Sequence, residues 1–66
     1  MQINLNNKKH NLNKAILLKD LLIELNISPD NVVITLNDKI IEQNEFDKIL
    51  LKNNDNLELF SFVGGG

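Results

Sequence analysis

The residues able to do chemistry in this chain are few. One histidine, His10, and three hydroxyl side chains, Ser28, Thr35 and Ser61, are all it offers besides charged groups and amides, and cysteine is absent. Nucleophilic catalysis of the Ser-His-Asp kind needs a base held against the nucleophile and oriented by a third group. A lone His10 beside a predicted turn supplies no such base and reads as a solvent-exposed strand residue. Zinc sites draw on several His and Cys ligands, and the nine carboxylates are spread along the chain without calcium-loop spacing. A glycine-rich phosphate loop is excluded as well, because the only glycines are Gly64, Gly65 and Gly66.

Those three glycines point to a different chemistry. Glycine is entropically costly to order and brings no side chain to pack. Three of them after Leu59-Phe60-Ser61-Phe62-Val63 predict a flexible tail, residues 64–66, beyond a single domain of residues 1–63. Counted from Val63, such an extension reaches about 13 Å, and it can thread a channel that any β-carbon would block. It delivers one group, the α-carboxylate of Gly66, which is ionised at neutral pH. That carboxylate is a nucleophile toward a phosphate if another protein supplies nucleotide and metal. The plain alternative is a frayed terminus.

The rest of the composition agrees with a small delivered domain rather than an autonomous enzyme. The chain has 66 residues, 42% of them hydrophobic and 24% charged, with a formal net charge of −2. A domain of this size buries only about 60% of its unfolded surface, and with no cysteine its stability rests on one core. All seven basic residues are lysines, scattered from Lys8 to Lys52, which argues against nucleic-acid binding. No apolar run is long enough to span a membrane, and Met1 to Lys9 shows no signal-peptide core, so a cytoplasmic location is expected. The twelve asparagines read as compositional bias, placed at turns and outward faces.

The elements that must position the tail follow from periodicity. Met1 to Asn6 alternates with period two, a half-buried strand with Met1, Ile3 and Leu5 inward. A turn at Asn7-Lys8-Lys9 and a return strand from His10 to Leu12 complete a hairpin. Leu18, Leu21, Leu22 and Leu25 then form the core stripe of a helix from Leu17 to Leu25, poorly capped at its start, with Asn26 as a left-handed cap. Val32 to Leu36 is a strand with Ile34 and Leu36 inward and Val33 and Thr35 outward. After a turn at Asn37-Asp38-Lys39 come the apolar pair Ile40-Ile41 and a short helical turn with Asn44 as cap and Asp47 three residues on. Phe46, Ile49 and Leu51 are apolar anchors. The last strand, Asn56 to Phe62, has Leu57 and Leu59 inward and Phe60 and Phe62 on the opposite face. Strands flanking one helix predict an α+β roll, a mixed sheet of four to five strands packed on that helix.

In this order the motifs resemble the ThiS family, small ubiquitin-like sulfur carriers of thiamine biosynthesis. The similarity rests on the opening Met1-Gln2-Ile3 strand, the apolar helix Leu18 to Leu25, and Val33-Ile34-Thr35-Leu36-Asn37 before a turn. It continues through the Asp55-led last strand to Val63-Gly64-Gly65-Gly66. Where the family commonly has Gly-Asp before the last strand, this chain has Asn54-Asp55, and Glu42-Gln43 replaces the basic or proline residues often found after the short strand.

The resemblance implies a β-grasp fold and a carrier that is itself no enzyme. It implies that a ThiF-like adenylating enzyme threads Gly64 and Gly65 into its ATP site, supplying ATP and Mg, and adenylates the Gly66 carboxylate. A cysteine-persulfide donor would then displace AMP to leave a thiocarboxylate on Gly66, and a ThiG-like thiazole synthase would take the sulfur. The chain would bind no cofactor, metal, nucleic acid or membrane itself and would be a monomer when free. Phe60, Phe62, Val63 and Val33 are then candidates for an apolar docking patch beside the tail, aromatic anchors being typical of interfaces. The alternatives are a carrier for the molybdenum cofactor or another sulfur pathway, a plain β-grasp interaction module, or a protein modifier joined through Gly66.

Overall fold

The computed structural model describes residues 1–61. The expectations for Phe62, Val63, Gly64, Gly65 and Gly66 lie outside the described residues. The chain runs β1 (Gln2–Leu5), β2 (Lys8–Asn11), helix α1 (Leu18–Glu24), β3 (Val32–Leu36), β4 (Lys39–Ile41) and β5 (Asn56–Ser61), with 3-10 turns at Pro29–Asn31 and Gln43–Glu45. The strands form one mixed sheet in the order β2-β1-β5-β3-β4. β5 is its centre, parallel to β1 and antiparallel to β3. The α+β roll expected from the periodicity is therefore the observed arrangement, with five strands.

One sheet face carries the core. Ile3, Ile34, Leu57 and Leu59 point from the strands toward Leu18, Leu21 and Leu22 of α1, and Leu12, Phe46 and Leu51 close the cluster. Met1, expected inward, is 39% exposed, because it precedes β1 at the edge of this cluster. His10 departs in the other direction. It is half-buried, since its register partner is Ile3 and directly opposed residues of an antiparallel pair share a face.

The asparagines have a conformational role at turns, in keeping with the tolerance of Asn for left-handed backbone. Among the described residues six non-glycine residues have positive φ, and five of them are Asn6, Asn7, Asn26, Asn37 and Asn54, with Asp38 the sixth. Glycine is absent from residues 1–63, so left-handed positions fall to the side chains that tolerate them best. The β1–β2 turn accordingly sits at Asn6-Asn7, not Asn7-Lys8-Lys9, so that β2 starts at Lys8. Two-residue hairpin loops want positive φ at both central residues, and Asn37-Asp38 does the same between β3 and β4.

Both ends of α1 have a physical account. Its start lacks a side-chain cap. Instead the Leu18 N–H donates to the Ile49 carbonyl at 2.8 Å and the Lys19 N–H to the Phe46 carbonyl at 3.0 Å. Two donors that a helix start leaves unsatisfied are thus met by a segment far along the chain. At the other end the Ile27 N–H donates to the Leu22 carbonyl and the Asn26 N–H to the Ile23 carbonyl, a Schellman closure around left-handed Asn26. The short turn after β4 is capped by Glu42 rather than Asn44. The Glu42 N–H donates to Glu45 Oε1 at 3.2 Å and the Glu45 N–H to the Glu42 carbonyl at 2.9 Å, while Asn44 lies inside the turn.

Candidate functional site

The helix covers one face of the sheet and leaves the other open. Alternation along β5 sends Leu57 and Leu59 to the core, so Asn56, Glu58 and Phe60 project onto the open face. Register then decides their neighbours. Phe60 lies opposite Val33, Glu58 opposite Thr35, and Thr35 in turn opposite Ile40 on β4. Phe60 is 55% exposed, Val33 37% and Ile40 73%. Ile40 and Val33 sit diagonally on neighbouring strands, within the reach over which cross-strand side chains interact. These three residues form an apolar patch on the β5-β3-β4 half of the open face.

The patch has a polar border. Thr35 Oγ1 donates to Glu58 Oε1 at 2.9 Å across the strands. On the β1-β2 half, Asn4 lies beside Asn56 and opposite Lys9, so the apolar character ends there. Among the described residues no buried side-chain polar atom lacks a partner, and no group of His, Asp and Glu is arranged to hold a metal ion. A groove lined by Asn11, Leu12, Asn13, Lys14, Ile16 and Glu24 holds no hydroxyl, thiol or imidazole. No helix of the described residues is long and apolar enough to cross a membrane.

Of the sequence-derived site residues, Phe60 and Val33 are brought together as direct cross-strand neighbours. Phe62, Val63, Gly64, Gly65 and Gly66 are not among the described residues, but they follow directly from Ser61 at the end of β5. Ile40 was missed as a member of the patch. Its signal was available: an inward Ile41 makes Ile40 outward, and a hairpin turn at Asn37-Asp38 sets it opposite outward Thr35.

An open-faced mixed sheet grasping a single helix, with its central strand leading into glycines, defines a ubiquitin-like β-grasp domain. The crystal structure of the thiamine biosynthesis protein ThiS from Geobacter metallireducens superposes with a TM-score of 0.85 at 28% identity, covering 100% of both chains. Its solution structure gives 0.82, also at 28% identity, covering 100% of this chain and 88% of that one. Among curated relatives, a thiazole synthase from Magnetococcus marinus is 30% identical over all 66 residues, and this chain spans only 20% of its length. The uncharacterized protein ycf40 of Pyropia yezoensis is 33% identical over 100% of this chain and 93% of its own. The ThiS family model matches residues 2–66. The chain belongs to the ThiS family, the sulfur carriers that its motifs resemble.

Proposed function

We propose that the chain carries sulfur as a thiocarboxylate on Gly66 for the formation of a thiazole ring. The observation that carries this reading is the family match, which runs through Gly64, Gly65 and Gly66. A carboxylate oxygen of Gly66 attacks the α-phosphorus of ATP held by an adenylating enzyme of the ThiF kind, and pyrophosphate leaves. The terminal sulfur of a cysteine persulfide then attacks the acyl carbon, and AMP leaves. A thiol breaks the resulting S–S bond and is itself oxidised to a disulfide, releasing the thiocarboxylate. ATP and Mg belong to the activating enzyme in this scheme, and the chain contributes its terminus and a docking face.

A thiazole synthase is the recipient favoured here. In the Magnetococcus protein a segment similar to this whole chain occupies one fifth of a thiazole synthase. A carrier joined covalently to the enzyme that would consume its sulfur holds it at high effective concentration. That favours the thiazole pathway over a molybdenum-cofactor carrier or a protein modifier.

The test is intact-mass measurement after incubation with ATP, an adenylating enzyme of this kind and a persulfide donor. Exchange of one carboxyl oxygen for sulfur adds about 16 Da, and an unchanged mass with active enzyme and donor overturns the proposal. The docking face has its own test. Phe60→Ala is expected to weaken adenylation about tenfold or more in kcat/KM, as loss of an aromatic anchor does, with a stability change within about 0.5 kcal/mol, as for other exposed positions. Equal losses of stability and adenylation would place Phe60 in the fold and not in docking.

A further inference from the structure

The strand that leads to the tail is held differently on its two sides. On one side β3 accompanies β5 to its end, Val32 lying opposite Ser61. On the other side β1 stops early. Its ladder on β5 runs from the Asn54 N–H on the Gln2 carbonyl, through the Asn4 N–H on the Asp55 carbonyl, to the Asn6 N–H on the Leu57 carbonyl. At Asn6 the backbone turns left-handed, with φ 50°, and leaves the sheet.

The ladder nevertheless continues by one step. The Leu59 N–H donates to Asn6 Oδ1 at 2.8 Å, and Asn6 Nδ2 donates to the Leu59 carbonyl at 3.2 Å. The carboxamide has the same donor and acceptor as a peptide unit, so it takes the place of the next residue of β1. One residue therefore performs two tasks that usually fall to different ones. It closes the hairpin through its backbone and brackets β5 through its side chain, three positions before Phe62 and five before Gly64.

We propose that Asn6 is a positioning residue for conversion of the tail, fixing the course of β5 at Leu59 so that the glycines enter the activating enzyme's channel in register with a domain docked by its open face. The role rests on the reading of Gly66 as the converted group. It is separable from docking, because the Asn6 amide lies in the strand plane and not in the Phe60, Val33 and Ile40 patch. Fixing the direction of an attacking group affects the chemical step more than ground-state binding.

Two variants test this. Asn6→Gly keeps the left-handed backbone accessible and removes both side-chain bonds. Asn6→Asp keeps the acceptor for the Leu59 N–H and sets a carboxylate oxygen against the Leu59 carbonyl. Amide hydrogen exchange followed by NMR is expected to show the Leu59 amide exchanging about tenfold faster or more in Asn6→Gly. The Phe60 amide faces β3 by strand alternation and should stay within about threefold of the parent, like those of the buried core. Adenylation by the activating enzyme should lose about tenfold in kcat with KM nearly unchanged, and Asn6→Asp should fall between parent and Asn6→Gly.

Unchanged Leu59 exchange, or a kcat equal to that of the parent in both variants, overturns the proposal. So does a uniform rise in exchange across the core, which would make Asn6 a stability residue only. If the parent chain itself is not adenylated, the carrier reading fails and takes this role with it. In that case the exchange contrast still shows whether the bracket on Leu59 exists.

Discussion

Removal of Gly65 and Gly66 is expected to abolish thiocarboxylate formation while leaving the melting temperature within about 3 °C of the intact chain. Both halves have a physical basis. Shortening the tail by two residues withdraws the carboxylate by about 7 Å, and in-line attack requires the reacting atoms about 3–3.5 Å apart. In the proposed docking by the sheet face, the domain would not recover that distance by sliding, because the docking contacts would fix its position. On the stability side, the buried cluster of the described residues lies between Ile3 and Leu59. Glycines have no side chain to add to it, and changes outside a core usually stay within about 0.5 kcal/mol, a few degrees for a domain this small. Intact mass and a thermal melt on the same sample check the two halves. A truncated chain that still gains the sulfur mass would show that conversion does not depend on the full reach of the tail.

The opposite pairing of effects is expected for Leu57→Ala. Leu57 is fully buried on the central strand, beside Leu5 of β1 and Leu36 of β3. Truncating a buried leucine costs about 3 kcal/mol or more through lost burial and the cavity left behind. A single core of this size supplies only about 3–5 kcal/mol in total, so the variant should be largely unfolded at 37 °C. Conversion should fall with the folded fraction. Urea unfolding followed by circular dichroism gives the loss directly, and a loss below about 1 kcal/mol would show that the core repacks around this site. Comparing the two variants separates what the domain does for the tail from what the tail does by itself: one keeps the platform and loses the chemistry, the other loses the platform.

Much of this was open to reading from residue types alone. Strand β3 and the faces of Ile34, Val33, Leu57, Leu59 and Phe60 follow from alternation, because burial of one sheet face leaves no other phase. The Leu18, Leu21 and Leu22 stripe and the Asn26 cap are local in the same sense. The poor side-chain cap expected at the start of α1 is what the structure has, and the Ile49 and Phe46 carbonyls that take its place arrive from some thirty residues away. The β1–β2 turn and the cap of the turn after β4 lie one or two residues from where the sequence pattern puts them. Met1 is more exposed and His10 more buried than expected, because Met1 precedes β1 and His10 lies opposite Ile3.

The sequence by itself determined the fold class and the core face of each long element, and it raised the expectation that the terminal glycines carry the chemistry. These depend on side-chain periodicity and on the absence of competing nucleophiles. Only the tertiary structure decided that β5 pairs with β3, which sets Phe60 next to Val33 on the face that holds Ile40, and that the Asn6 amide brackets Leu59 across 53 positions of sequence. The reason is the same in both cases. Such contacts are set by which strands become neighbours and in what register, and with β5 inserted between β1 and β3, that pairing is a property of the assembled sheet and of no single segment.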